Sequence, residues 1–291
     1  MKIARFLFRD SVRLGLVDVA RRRLELLPAD GGGGDPMIRL IERDLDGERP
    51  RGTREYVALD EVRLLPPIAQ PSKNVLCVGK NYRAHAAEFT RSGYDGTAKS
   101  LSDPVPEFPI LFTKAPCTMI GARDTVLPPW EQSVEIDYEA ELGIVIGRGG
   151  RRIAKDDAMR HVWGYTIVND VTARDLQVRH KQWLLGKSID TFCPIGPWLV
   201  TADELDHANL DIACWVNGEL RQQANTRDMI FDVPTIVATI AASMSLAPGD
   251  IIATGTPAGV GVGFKPPKFL QAGDVVRIAI AGIGEIENSI G

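Results

Sequence analysis

Long apolar runs are missing from this chain of 291 residues. Nothing in it approaches the ~20 consecutive residues that a bilayer-spanning helix needs, so a membrane partner is not expected. The first residues, Met1-Lys2-Ile3-Ala4-Arg5-Phe6-Leu7-Phe8-Arg9-Asp10, are broken by charges and make a poor signal peptide. Cysteine is scarce: Cys77, Cys117, Cys193 and Cys214 lie far apart with no Cys-x-x-Cys pair. They read as buried free thiols in a reducing cytoplasm, which ranks a thiolate nucleophile or a zinc site well behind. An excess of positive charge is also lacking. With a net charge of −4 and a pI near 5.7, the chain offers no basic surface for nucleic acid. Small anionic substrates stay open, because a bound cation can reverse the local field. A nucleotide cradle is missing too: Gly186-Lys187-Ser188 ends like a P-loop, but Lys181 stands where that motif needs its first glycine.

What is present is an ordinary globular composition, 44% hydrophobic and 25% charged, enough for one large domain or a large one with a small companion. The most informative segment is Ile136-Asp137-Tyr138-Glu139-Ala140-Glu141-Leu142-Gly143-Ile144-Val145-Ile146-Gly147. Its early alternation predicts a strand with Glu135, Asp137, Glu139 and Glu141 on one face, and its apolar end predicts entry into a core. Like charges at that spacing repel unless water or a divalent cation offsets them. About thirty residues on, a β-branched run leads to Asp170, a spacing that suggests a strand-to-strand crossover. Glu139, Glu141 and Asp170 together would suit Mg²⁺ or Mn²⁺ and leave positions for water or substrate. The plainer alternative is surface charge, with Asp170 or Asp175 paired to Arg174.

Strands are predicted at Lys2–Phe8, Val12–Val19, Asn74–Val78, Ile110–Phe112, Asp137–Ile146, Trp163–Asn169, Trp198–Thr201, Leu210–Val216, Ile251–Thr254 and Val275–Ile280. A short helix is expected around Tyr82–Phe89, and a longer one from Pro234 to about Leu246 with Asp232 as N-cap. Asn217-Gly218 signals a hairpin turn. Strands outnumber helices, so the class is β-rich α+β. The proline-rich Leu64–Pro71 connector sets a boundary between a small unit, residues 1–70, and a large one, 71–291. The run Gly31-Gly32-Gly33-Gly34-Asp35-Pro36 reads as a flexible loop tip without a strand-turn-helix context.

Among four histidines, His85 stands apart because Glu88 follows at i+3 on the expected helix. A carboxylate beside an imidazole orients it and raises its basicity, which suits a general base; an exposed ion pair or a core histidine is the alternative. Lys187, in an apolar stretch, suits an electrostatic clamp for a carboxylate or enolate, or else is a surface lysine lying along apolar residues. In Thr254-Gly255-Thr256-Pro257-Ala258-Gly259-Val260-Gly261, the glycines would let backbone approach a ligand and Thr256 could donate to an anion; a tight loop at a strand end is the alternative.

Taken together, Gly79-Lys80-Asn81-Tyr82…His85-Ala86-Ala87-Glu88, Asp137-Tyr138-Glu139-Ala140-Glu141-Leu142, Asn169-Asp170-Val171-Thr172-Ala173-Arg174-Asp175-Leu176-Gln177, Gly186-Lys187-Ser188 and Thr254-Gly255-Thr256-Pro257 resemble the fumarylacetoacetate hydrolase superfamily in the same order. The resemblance runs over about residues 72–291, and the first 70 look like the small variable domain of bacterial members. It implies a mixed β-roll catalytic domain, usually a homodimer, with Mg²⁺, Mn²⁺ or Ca²⁺ at the bottom of the pocket. By motif, Glu139, Glu141 and Asp170 match the metal ligands, and His85 and Glu88 match a dyad on a lid segment. Gln177, Lys187 and Thr256 match substrate-pocket positions, with Lys187 stabilising an enolate. Glu135 and Asp137 match no assigned role and are expected in solvent or behind the ligands. The implied substrate is a small 2-oxo acid. The leading expectation is metal-dependent hydrolysis of a C–C bond in a 2,4-dioxo acid, an acylpyruvate or fumarylpyruvate, from aromatic or sugar-acid breakdown. The alternatives are oxaloacetate-type decarboxylation, isomerisation, hydration or lysis of a 2-hydroxy-dienoate on the same site, and a non-enzymatic ligand-binding role.

Overall fold

The computed structural model describes residues 1–29, 31–96 and 104–291. Residues 97–103, within the Ser92–Pro109 stretch expected to shape the outer pocket, lie outside the described residues.

Among the described residues, twelve strands form one sheet. Its path runs Tyr56–Ala58, Arg23–Leu26, Ser11–Asp18, Lys2–Phe8, Cys193–Thr201, Val162–Asn169, Ala140–Ile146, Ile251–Ala253, Val75–Gly79 and Ile110–Lys114. The neighbours are antiparallel along this path except for Ile251–Ala253 and Val75–Gly79, which run parallel, so the sheet is mixed. A second, antiparallel sheet comprises Glu219–Asn225, Asp211–Val216, Val275–Ile280 and Gly284–Ser289. The architecture is β-rich α+β, as expected. Asn217 and Gly218, with φ of 52° and 80°, make the turn between two strands of the second sheet, the backbone that a primed hairpin turn requires.

The central strands are buried on both faces, which explains their continuous apolar run. Leu142, Ile144 and Ile146 pack with Ile212, Ile278 and Ile240, towards the second sheet and the helix Val233–Ser243. Val145 and Val168 pack with Met37, Leu40 and Ile41 of the helix Pro36–Leu45. That N-terminal helix escaped the sequence reading. It follows the strand Arg23–Leu26, so the glycine run does stand between strand and helix, and Asp35 caps the helix by accepting from the Met37 amide at 2.8 Å. Lys2–Phe8 hydrogen-bonds to Cys193–Thr201, so the two parts of the chain share the sheet.

Asp232 caps Val233–Ser243 by accepting from the Thr235 amide at 2.9 Å. This helix stops short of Leu246, whose backbone instead exchanges hydrogen bonds with Gly150. Cys77, Cys193 and Cys214 are buried, but Cys117 is exposed, contrary to the expectation for all four thiols. No helix among the described residues is long and apolar enough to cross a membrane.

Candidate active site

The acidic segment folds as two pieces, Ile136–Asp137 and Ala140–Ile146, with Glu139 in the break between them. Antiparallel register sets Ala140 opposite Asn169, which places Asp170 beside Glu139 and Glu141. The pairing is antiparallel, and the long spacing in sequence reflects a connection through the 3₁₀ segment Lys155–His161, not a crossover between parallel strands. Two contacts lock the junction: the Asp170 amide donates to the Glu139 carbonyl at 2.9 Å, and the Glu139 amide donates to Asn169 Oδ1 at 3.1 Å. One ligand oxygen from each of Glu139, Glu141 and Asp170 lies within 4.8 Å of the others, and all three residues are buried.

Buried carboxylates need opposite charge. Lys187, on the short helix Leu184–Lys187, reaches Glu139 Oε2 at 2.8 Å and Asp170 Oδ2 at 2.6 Å. Lys114 donates to Asp170 Oδ1 at 2.6 Å and to the carbonyls of Val171 and Lys187. Arg174 pairs with Glu139 Oε1 at 2.7 Å and with Asp137 Oδ2 at 2.9 Å, and not with Asp170 or Asp175. Lys187 is thus wholly enclosed, not a surface lysine. Asp137 is fully buried rather than in solvent, and it also accepts from the amides of Gly261 and Val262. Glu135 is half-buried and accepts from the Tyr94 hydroxyl at 2.9 Å.

Four buried carboxylates therefore face three buried cations, and Glu141 is the acid without an ion pair; its Oε2 accepts from the Gly255 amide at 2.7 Å. Burial, then the charges of Asp170 and Glu139, push the Glu141 carboxyl well above its usual range. Burial also opposes ionisation of Glu139, but Lys187 and Arg174 outweigh it and hold that carboxyl below its usual range. An all-oxygen cluster with one carboxylate more than its cations is an environment a hard divalent cation would complete, so these residues fit one.

His85 lies on the helix Arg83–Ser92, whose buried residues His85, Ala86, Phe89 and Thr90 form one face by i, i+4 spacing. His85 Nδ1 is 3.4 Å from Glu88 Oε2, and the His85 ring stacks on Phe89 with centroids 5.8 Å apart. Glu88 does a second job, since its two oxygens accept from the Gly259 amide at 3.0 and 3.1 Å. The glycine-rich loop after Ile251–Ala253 thus turns its amides towards the protein's own acids: Gly255 to Glu141 and Gly259 to Glu88. Gly255 has φ of +98°, and an added Cβ would lie 2.6 Å from Asn81 Cβ. At Gly259, with φ of +102°, an added Cβ would meet the Arg221 carbonyl oxygen at 1.9 Å. Gly259→Ala should therefore destabilise the fold by more than ~1 kcal/mol and lower turnover by releasing Glu88. Thermal melts and initial rates check this, and a variant unchanged in both would show that the loop does not hold the dyad.

His85, Glu139, Glu141, Gln177, Lys187 and Thr256 line one cavity. Thr256 Oγ1 accepts from Gln222 Nε2 at 2.8 Å, which leaves its own proton for another acceptor. Gln177 Oε1 faces Arg174 Nη1 at 3.3 Å. Sequence reasoning missed three partners. Arg174 stood inside a quoted motif but gained no role, and Lys114 ends a strand that opens with Ile110-Leu111-Phe112, a weak signal of a buried charge. Gln222, which also accepts from the Ala140 amide at 3.0 Å, lies in a polar strand and gave no signal.

Residues 74–291 match the family model described as fumarylacetoacetate (FAA) hydrolase C-terminal, and residues 1–67 match the model described as Rv2993c-like, N-terminal. The oxaloacetate tautomerase YisK of Bacillus subtilis is 52% identical over 235 residues, covering 80% of this chain and 75% of that protein. The solved fumarylacetoacetate hydrolase of psychrophilic Exiguobacterium antarcticum is 40% identical with a TM-score of 0.83, covering 100% of this chain and 99% of that one. The maleylpyruvate hydrolase of Sphingobium sp. SYK-6, solved with manganese(II) and pyruvate, is 34% identical with a TM-score of 0.78, covering 100% and 98%.

Proposed function

This chain is an enzyme of the fumarylacetoacetate hydrolase family, and on that footing we propose that it interconverts the enol and keto forms of an oxaloacetate-type 2-oxo acid. The choice among reactions is carried by its similarity to a protein named oxaloacetate tautomerase, over most of both chains. The cavity supports it by setting a carboxylate-backed imidazole in the same wall as Glu139, Glu141, Arg174 and Lys187. This favours the alternative oxaloacetate-type chemistry over hydrolysis. The intact His85–Glu88 pair suits activation of water, but an imidazole beside a carboxylate can also serve as the base that takes a proton from carbon. The pair does not select the reaction.

In the enol-to-keto direction the substrate oxygen loses a proton and carbon 3 gains one; the reverse direction exchanges these events. In this reading His85 exchanges the carbon proton and Glu88 orients its ring. Lys187 and Arg174 set positive charge against the enolate, in a wall where burial strengthens each such interaction. Gln177 and Thr256 hold the substrate. A divalent cation, held by Glu139, Glu141 and Asp170, would supply Lewis-acid polarisation of a chelating 2-oxo acid. Mg²⁺ or Mn²⁺ fits the all-oxygen set, and the homodimer belongs to this reading through the family resemblance.

The test follows the ultraviolet absorbance of enol-oxaloacetate in the presence of Mg²⁺. Its decay is expected to accelerate in proportion to enzyme. Faster turnover of an acylpyruvate than of enol-oxaloacetate would restore hydrolysis as the main activity, a reading that the likeness to maleylpyruvate hydrolase keeps in view.

A further inference from the structure

Lys80 carries a charge that the site described so far does not use. It stands at the end of the strand Val75–Gly79, lines the same cavity as His85, Arg174 and Lys187, and its side chain is 3% exposed. Its backbone is left-handed, with φ of 56°, a conformation that costs a non-glycine residue free energy and that collects at functional positions. Its ammonium has one ion pair, with Asp95 Oδ2 at 2.6 Å, and a weak contact to Thr90 Oγ1 at 3.5 Å. Thr90 gives its own proton to Asp95 Oδ2 at 2.6 Å.

The three cations on the cavity wall are differently committed. Lys187 spans Glu139 and Asp170, and Arg174 spans Asp137 and Glu139, so each is held by two carboxylates. Lys80 pairs with a single carboxylate and stands apart from the acid cluster. Of its three N–H donors, two have acceptors among the described residues, and the third has none. A buried ammonium with an unfilled donor is costly unless something completes it, and a carboxylate is the group it already accepts.

We propose that Lys80 reads the distal carboxylate of the substrate, and so selects dicarboxylic over monocarboxylic 2-oxo acids, with Asp95 and Thr90 holding the ammonium in place between turnovers. This rests on the reading of an oxaloacetate-type substrate. A site built to bond a charged group rejects the analogue that lacks it, because its own donor is then left buried and unpaired.

The experiment compares binding of malate and lactate in the presence of Mg²⁺ by calorimetry, alongside turnover of enol-oxaloacetate. Malate carries the second carboxylate and lactate does not. Wild-type protein should prefer malate by roughly 10²-fold, and Lys80→Met should lose that preference while binding lactate as before. Asp95→Asn removes the internal competitor and should keep the malate preference or increase it. Equal weakening of both ligands in Lys80→Met, or loss of the malate preference in Asp95→Asn as well, would make Lys80 a structural tie for the helix end and overturn the proposal. A wild-type enzyme that prefers malate yet leaves enol-oxaloacetate untouched would instead reject the tautomerase reading and leave the role of Lys80 standing.

Discussion

His85→Ala is expected to lower turnover by roughly 10²–10⁴-fold, the usual worth of a positioned general base. The imidazole is buried in the cavity wall, stacked on Phe89 and tethered to Glu88, so its loss removes the proton carrier while the charges around the acid triad stay in place. Affinity for oxalate, which resembles the pyruvate enolate, should survive, since Glu139, Glu141, Asp170 and Lys187 are untouched. Glu88→Gln should fall between wild type and His85→Ala, because the ring keeps a neighbour that can still orient it but no longer offers a carboxylate partner. Rates and calorimetric oxalate binding decide the matter. Wild-type turnover by His85→Ala would end the assignment and leave His85 as a packing residue of its helix.

The second large effect concerns the divalent cation. Exhaustive chelation should abolish turnover, and returning the ion at ~100 times its Kd should stabilise the fold by about 2.7 kcal/mol through linkage. Two variants separate metal binding from folding. Asp170→Asn leaves Lys114 and Lys187 buried without a shared counter-charge, which should cost about 3–5 kcal/mol even without metal. Glu141→Gln removes the one acid of the triad that lacks an ion pair, so the metal-free protein should fold at least as well as wild type yet gain nothing from Mg²⁺. The pH dependence has a definite sign. Glu141 has a folded pKa above its ordinary 4.5, so the native state holds the proton longer than the unfolded chain does. That stabilisation is fully present below about pH 4.5 and is lost as pH rises through the raised value. Glu139 works in the opposite sense, its contribution fading as pH falls through its lowered pKa. Thermal melts across pH, with and without Mg²⁺, read these terms. A Glu141→Gln protein that Mg²⁺ stabilises as fully as wild type would remove Glu141 from the metal site.

Local chemistry is what the sequence by itself determined. The short runs Lys2–Phe8 and Val275–Ile280, rich in β-branched or aromatic residues, were enough to locate those strands, because strand preference is a local property of such residues. The Asp232 cap and the Asn217-Gly218 turn were equally legible, since each depends on a few adjacent residues. Repelling carboxylates on one strand asked for a counter-charge, but they pointed to Glu135 and Asp137 as much as to Glu139 and Glu141, and it was the family's motifs that singled out Glu139, Glu141 and Asp170. Which charges answer them was decided by the tertiary structure. Lys114 and Arg174 reach the triad only through pairings of strands distant in sequence, and the Asp137 carboxylate turned inward because Arg174 and two loop amides meet it there. The helix Pro36–Leu45 owes its position to packing against strands far along the chain, and Gln222, on a strand paired with its hairpin neighbour Asp211–Val216, meets Ala140 and Thr256 only in the folded chain. The same reason explains why glycine spacing pointed towards a ligand when Gly255 and Gly259 serve Glu141 and Glu88: a glycine marks close approach, and only the folded chain shows what approaches.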